Sequence, residues 1–145
     1  MDKQELEILT DKVAGLITKD KKVVVFTGAG ISTESGIPDF RSPGGIWDRF
    51  DPDDFTYEKF INNTESRKKQ WQMLEEGLLT GGAEPNSAHH AIAKLDKLGK
   101  LDCVITQNVD NLHQQAGVPN DKVFELHGSM RWVICLSCSR RYSLE

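Results

Sequence analysis

His127 closes the apolar run Val123-Phe124-Glu125-Leu126 and precedes Gly128. An imidazole titrates near neutral pH and is the commonest general base, although a lone histidine also serves structural ends. Gly28-Ala29-Gly30 leaves a second apolar run, Val23 to Thr27. Glycines there let the backbone pass close to a pyrophosphate, and the turn that follows offers free N–H groups. Ser32 and Thr33 continue that turn. Thr33 stands where the third glycine of G-x-G-x-x-G would be, so the fingerprint is incomplete and an ordinary strand-to-helix turn reads the same way. Gly36 to Ser42 sets Asp39, Phe40 and Arg41 side by side. Arg41 can clamp a phosphate bidentately and Phe40 can keep water from a reactive face, while a plain surface loop shares this composition. Gln107-Asn108-Val109-Asp110 follows a third apolar run. Its amides and carboxylate suit a carboxamide or ribose hydroxyls, or Asp110 simply caps a helix. Cys135-Leu136-Ser137-Cys138 is half of a tetrahedral zinc site. The remaining cysteine, Cys103, sits in the apolar stretch 101–105 and reads as core. His89, His90 and His113 fall on helices and read as structural.

The elements that must hold these residues follow from periodicity. Leu6, Leu9, Val13, Leu16 and Ile17 recur at three and four, which predicts an amphipathic helix over 4–18. Val23 to Thr27 is continuous and β-branched, as in a strand buried on both faces. Residues 33–54 are rich in Gly, Pro, Ser and Asp and read as a long loop with little regular structure. Residues 53–79 read as two helical pieces parted near Asn62-Asn63, with Gly81-Gly82 as the stop. Asn86 or Ser87 caps a helix over 88–98, and Gly99 ends it. Strands are expected over Leu101–Thr106 and Val123–Leu126, with a short helix over 110–115 between them and an extended run from Met130 to Ile134. This alternation predicts an α/β fold with a parallel sheet. Such sheets bind ligands beyond the carboxyl ends of their strands, where the residues after Thr27, Thr106 and Leu126 fall.

The chain has 145 residues, with 18 basic and 22 acidic side chains and a net charge of -4. That balance argues against direct binding of nucleic acid through a basic footprint. No apolar run approaches the ~20 residues of a membrane helix and no apolar leader follows Met1, so a cytoplasmic protein without membrane partners is expected.

Taken in order, Gly28-Ala29-Gly30-Ile31-Ser32-Thr33, Gly36-Ile37-Pro38-Asp39-Phe40-Arg41, Thr106 to His113, Leu126-His127-Gly128 and Cys135-x-x-Cys138 resemble the sirtuins, the NAD-dependent protein lysine deacylases. The resemblance runs from about Val23 to Cys138. It implies a Rossmann-like parallel sheet with helices on both faces over residues 1–128, carrying the cofactor loop and a helical insertion, and the start of a small zinc-binding module over 129–145.

It further implies that Gly28, Ala29, Gly30, Thr33 and Arg41 meet the NAD phosphates and nearby ribose, and that Asp39 and Phe40 belong to the cofactor loop. Gln107 would hold ribose hydroxyls, and Ser32, Asn108, Val109 and Asp110 would form the nicotinamide pocket. His127 and Asn108 would be catalytic, with His127 the base. Cys135 and Cys138 would be two of four zinc ligands. The implied reaction passes an acetyl group from acetyl-lysine of a protein substrate to ADP-ribose and releases nicotinamide. Sirtuins selective for acidic acyl groups carry a Tyr-x-x-Arg pair; residues 66–79 hold no Tyr and only Arg67, so an uncharged acyl group is expected. Sirtuins also continue beyond the point matched by Glu145, so the chain reads as truncated relative to the family, with the other ligands and the peptide-pairing strand in a C-terminal half or on a second chain. Two further readings share the pocket: a non-catalytic NAD- or partner-binding fragment, and a protein ADP-ribosyltransferase.

Overall fold

A computed structural model of the chain describes residues 2–79 and 82–144; Gly81, expected as a helix stop, lies outside them. Helix α1 spans Lys3–Lys19 and is started by Asp2, whose carboxylate accepts from Glu5 N at 2.8 Å. Strand β1 (Val23–Thr27) follows, then helices α2 (Tyr57–Asn62), α3 (Thr64–Glu75) and α4 (Ser87–Lys97). Strand β2 (Leu101–Thr106), helix α5 (Leu112–Gln115) and strand β3 (Val123–Glu125) complete the larger unit. A hairpin of β4 (Trp132–Ile134) and β5 (Arg141–Ser143) comes last. Strand β5 is short and polar, and its periodicity gives no sign of it.

The sheet is parallel, as expected, and its strands run in the order β1-β2-β3. Phe26, Ile105 and Phe124 lie in register across it. Its covered face holds the core: Leu101 and Val104, both fully buried, pack with Ile92 and Ala93 of α4 and with Val118. Each of the Leu, Ile and Val side chains contributes roughly 1.5–3 kcal/mol by leaving water.

The other face differs from the sequence expectation. β1 is not buried on both sides but alternates, with Val24 and Phe26 more than half exposed. Phe124 and Leu126 are equally open. Helices line the α4 side, while among the described residues this second face is left open. The apolar stripe of α1 is likewise uncovered, with Leu6, Leu9, Val13 and Leu16 all about half exposed. Apolar spacing specifies which face seeks burial, not what buries it. Lys100 ties α1 to the sheet by donating to Thr18 O (2.9 Å) and Asp20 O (2.8 Å). Among the described residues no helix is long and apolar enough to cross a membrane.

Residues 33–54 also depart from expectation, because the loop is ordered. Short 3-10 helices occupy Ala29–Ser35, Ile46–Asp48 and Pro52–Phe55. The Asp39 carboxylate organises the turn between them, accepting from Arg41 N (3.0 Å), Ser42 N (2.7 Å) and Ser42 Oγ (2.5 Å). Gly45 passes so near this turn that a Cβ there would meet Asp39 O at 2.7 Å and Ser42 O at 2.8 Å. Ile46 is buried beneath it. The rings of Phe40 and Trp47 lie 5.1 Å apart, and those of Trp47 and Phe55 5.6 Å apart. Tertiary aromatic packing supplies the order that Gly- and Pro-rich composition conceals.

The two-piece helical segment forms as expected. Asn63 ends α2 and caps α3, its side chain accepting from Glu65 N and Ser66 N at 3.0 Å each. Asp54 pins α3 to the loop through Ser66 Oγ (2.7 Å) and Lys69, and these two bonds hold its carboxyl below the usual range.

Candidate functional site

Three strand ends meet at one edge of the sheet. Gln107 N donates to Thr27 O (3.0 Å) and Leu126 N to Thr106 O (2.9 Å), so the segments leaving β1, β2 and β3 are stitched together. Behind them runs a buried polar chain. Thr27 Oγ1 gives its hydrogen to Thr106 Oγ1 (2.9 Å), which also accepts from Asn108 N (3.0 Å). His113 Nε2 lies 2.9 Å from Thr27 Oγ1 and therefore donates to it. This leaves His113 Nδ1 without a partner, as is His89 Nε2. The two rings lie 5.0 Å apart and both are buried. Burial disfavours the cation of each, and the neighbouring His89 adds to that cost for His113, whose pKa falls from 6.5 to about 4.

In front of this chain, Ser32, Asn108 and Asp110 form a triangle. Ser32 Oγ donates to Asp110 Oδ2 at 2.7 Å, and Asn108 Nδ2 reaches Ser32 Oγ (3.1 Å) and Asp110 Oδ2 (3.2 Å). Asp110 Oδ1 accepts from Leu112 N (3.0 Å), so one carboxylate both caps α5 and fixes the triangle. The helix-capping reading and the pocket reading of Asp110 are thus met by different oxygens.

The triangle, with Val109, lines a cavity of about 160 Å³ walled by Ile37, Pro38 and Leu79. A larger one of about 570 Å³ is lined by Gly30, Asp39, Arg41, Trp47 and Phe55. Ala29, Phe40, Gln107, Asn108 and His127 line both. The Ser42 hydroxyl, then the Ser42 and Arg41 N–H groups, hold the Asp39 carboxyl below its usual range. His127 is exposed, with its Nδ1 3.0 Å from Gln107 O. A carbonyl only accepts, so Nδ1 carries the proton and Nε2 keeps a free lone pair.

Two of the expected residues line neither cavity. Gly28 sits behind Gln107, where a Cβ would come within 3.3 Å of Oε1, a tight contact that a small shift of the Gln107 amide would relieve. Thr33 turns its hydroxyl back to Gly30 O (3.0 Å). Conversely, Leu79, Trp47 and Phe55 line the cavities without having been singled out by sequence. The clustering of aromatics in a Gly- and Pro-rich stretch was the available signal for two of them, and Leu79 offered none.

Cys135 and Cys138 lie apart from this edge, on the β4–β5 turn. The N–H groups of Cys138 and Ser137 hold the Cys135 thiol below its usual range. A tetrahedral zinc needs four ligands, and no group of three or more His, Cys, Asp or Glu side chains able to hold a metal occurs among the described residues. Among the described residues, Cys135 and Cys138 do not complete a four-ligand zinc site.

The chain is similar to the NAD-dependent protein deacetylase of Thermodesulfovibrio yellowstonii, with 53% identity over 135 residues, 92% of this chain and 51% of that protein. It is 47% identical to NAD-dependent protein deacetylase 1 of Pyrobaculum aerophilum over 92% of this chain and 51% of that one. The chain therefore spans about half the length of the curated relatives it matches. Among solved structures, a Sir2 homolog–NAD complex shares 41% identity and a TM-score of 0.76 over 93% of this chain and 52% of that chain. A Sir2 complex with deacetylated p53 peptide and 3′-O-acetyl ADP-ribose gives a TM-score of 0.81 at 38% identity, over 92% of this chain and 52% of that one. The model of the Sir2 family matches residues 28–145, which takes in both cavities, His127 and the cysteine turn, and the chain belongs to that family.

Proposed function

We propose that this chain carries the NAD-binding, base-bearing half of an NAD-dependent protein lysine deacetylase. The observation that carries the reading is His127, tautomerically fixed by Gln107 O on the wall common to both cavities. The residues present suit NAD. Ala29, Gly30 and the Arg41 guanidinium line the larger cavity as a phosphate-binding edge, backed by the turn that runs from Gly28 to Thr33, and Gln107 stands beside it for ribose hydroxyls. Ser32, Asn108, Val109 and Asp110 supply a small polar pocket for the nicotinamide carboxamide, with the Asn108 and Asp110 side chains already oriented. When bound, NAD supplies an electrophilic ribose carbon from which nicotinamide departs, with ADP-ribose as acceptor of the acetyl group.

The chain's own contribution is positioning, dryness and a base. Phe40, packed on Trp47, covers both cavities and excludes water. His127 Nε2 takes a proton from a ribose hydroxyl, a service worth about 10²–10⁴-fold. The acyl group is uncharged: Arg67 is occupied by Phe60 O (2.7 Å), Ile61 O (3.1 Å) and Thr64 Oγ1 (3.2 Å), so it is not free to pair with an acyl carboxylate. Residues 1–128 form the nucleotide unit and 129–145 a separate module. The protein works in the reducing cytoplasm, in keeping with its three free thiols.

The test reads NAD binding on the 145-residue chain, and turnover of an acetyl-lysine peptide on a Sir2-family deacetylase in which this chain replaces the matching half. NAD should bind equally to wild type and His127→Ala by calorimetry. Nicotinamide and acetyl-ADP-ribose should form with wild type and fall at least a hundredfold in the variant. Full turnover by His127→Ala would remove the base assignment, and a peptide gaining ADP-ribose by mass would replace deacetylation with ADP-ribosyl transfer.

A further inference from the structure

Helix α3 presents three donors to one residue of the ordered loop. Ser66, Lys69 and Gln70 stand three and four positions apart and so share a face of the helix. Ser66 Oγ donates to Asp54 Oδ1 (2.7 Å), Lys69 Nζ to Asp54 Oδ2, and Gln70 Nε2 to Asp54 O (2.8 Å). Both carboxylate oxygens and the main-chain carbonyl of Asp54 are therefore claimed by one helix. Ser66 is buried, which keeps water from its bond.

Asp54 lies in the 3-10 turn Pro52–Phe55, immediately before Phe55. The Phe55 ring packs on Trp47 and meets Phe50 edge-on at 5.5 Å, and Trp47 in turn packs on Phe40. Phe40, Trp47 and Phe55 all line the larger cavity, whereas Asp54 lines neither cavity.

We propose that Asp54 is a positioning residue: fastened to α3, it sets the aromatic wall of the larger cavity and so the affinity for NAD, which it does not touch. The inference rests on the reading of that cavity as the NAD site. The three rings form one stack, and a stack is placed by its fastenings. The turn around Asp39 holds the Phe40 end, and Asp54 holds the Phe55 end. A carboxylate is needed there because it only accepts. In Asp54→Asn an amide NH₂ replaces one acceptor and turns a donor toward the Lys69 ammonium or the Ser66 hydroxyl.

The experiment combines amide hydrogen exchange of the ligand-free chain with NAD calorimetry, in wild type, Asp54→Asn, Lys69→Met and the double variant. Asp54→Asn should speed exchange at Trp47, Arg49 and Phe50, whose amides bond within the loop, and leave the amides of β2 as they were. NAD affinity should fall about fivefold or more. Lys69→Met should act in the same direction, and the double variant should lose no more than Asp54→Asn alone, since Lys69 works through Asp54. A merely structural Asp54 would loosen loop and sheet together and leave NAD affinity of the folded chain unchanged. Either of those results, or additive losses in the double variant, would overturn the proposal while the NAD reading stands. No NAD binding by the wild type would overturn the reading of the cavity and this proposal with it.

Discussion

Acid should loosen this protein through His113. The ring is buried and neutral in the folded chain, with a pKa of about 4 against 6.5 for a free imidazole. The unfolded chain takes up a proton on this side chain below pH 6.5, and the folded one does so only near pH 4. Between those values the unfolded state holds more protons, so stability falls as pH falls and is fully present above 6.5. One pKa unit corresponds to about 1.4 kcal/mol, so the loss at pH 5 is about 2 kcal/mol, levelling near 3 kcal/mol below pH 4. His89 adds in the same direction because burial lowers its pKa as well. Urea unfolding followed by far-ultraviolet dichroism at pH 7.5, 6 and 5, at constant ionic strength, measures the slope. His113→Gln should be less stable at pH 7.5, since it loses the Thr27 bond, yet show a shallower decline toward pH 5. An identical decline in both chains, or an NMR titration of His113 with its midpoint near 6.5, would refute the reasoning.

Two further outcomes follow from the fold. Gly45→Ala should destabilise the loop by about 1–3 kcal/mol, because its Cβ has only the backbone of Asp39, Phe40 and Ser42 to displace; limited proteolysis between residues 38 and 48 should accelerate and NAD binding weaken. Leu101→Ala, at a fully buried position of β2, should cost about 2–5 kcal/mol in urea unfolding.

Much of the site was legible because it hangs on strand ends. Continuous apolar runs located β1, β2 and β3, and the residues just after Thr27, Thr106 and Leu126 do converge at one edge. Asn86 announced its helix because a side-chain amide caps locally, and the Asn62-Asn63 break located the junction of α2 and α3. What stayed hidden depends on long-range partners. The Thr27–Thr106–His113 chain joins residues 79 and 86 positions apart, which no local pattern reports, so His113 read as an ordinary helical histidine. The order of the loop lies in how Gly45 and Ile46 close beneath Asp39, a matter of approach distance rather than composition. The open side of β1 was misjudged because an unbroken β-branched run looks the same whether one or both faces are covered.

Asn86 joins two parts of the molecule with one amide. Its Oδ1 accepts from Ala88 N (3.0 Å) and His89 N (3.4 Å) at the start of α4, and its Nδ2 donates to Ile31 O (2.7 Å) and Ser35 Oγ (3.0 Å) in the glycine turn. Both ends of the amide are in use, and the two are not interchangeable. Hydrolysis of this amide to a carboxylate, the slow ageing reaction of asparagine, would leave the helix cap intact. It would also place an acceptor against Ile31 O, where a donor had been. A stored sample could then keep its helical dichroism while the turn that faces the cavities drifts away from α4, so chemical age would register first in ligand affinity and only later in unfolding.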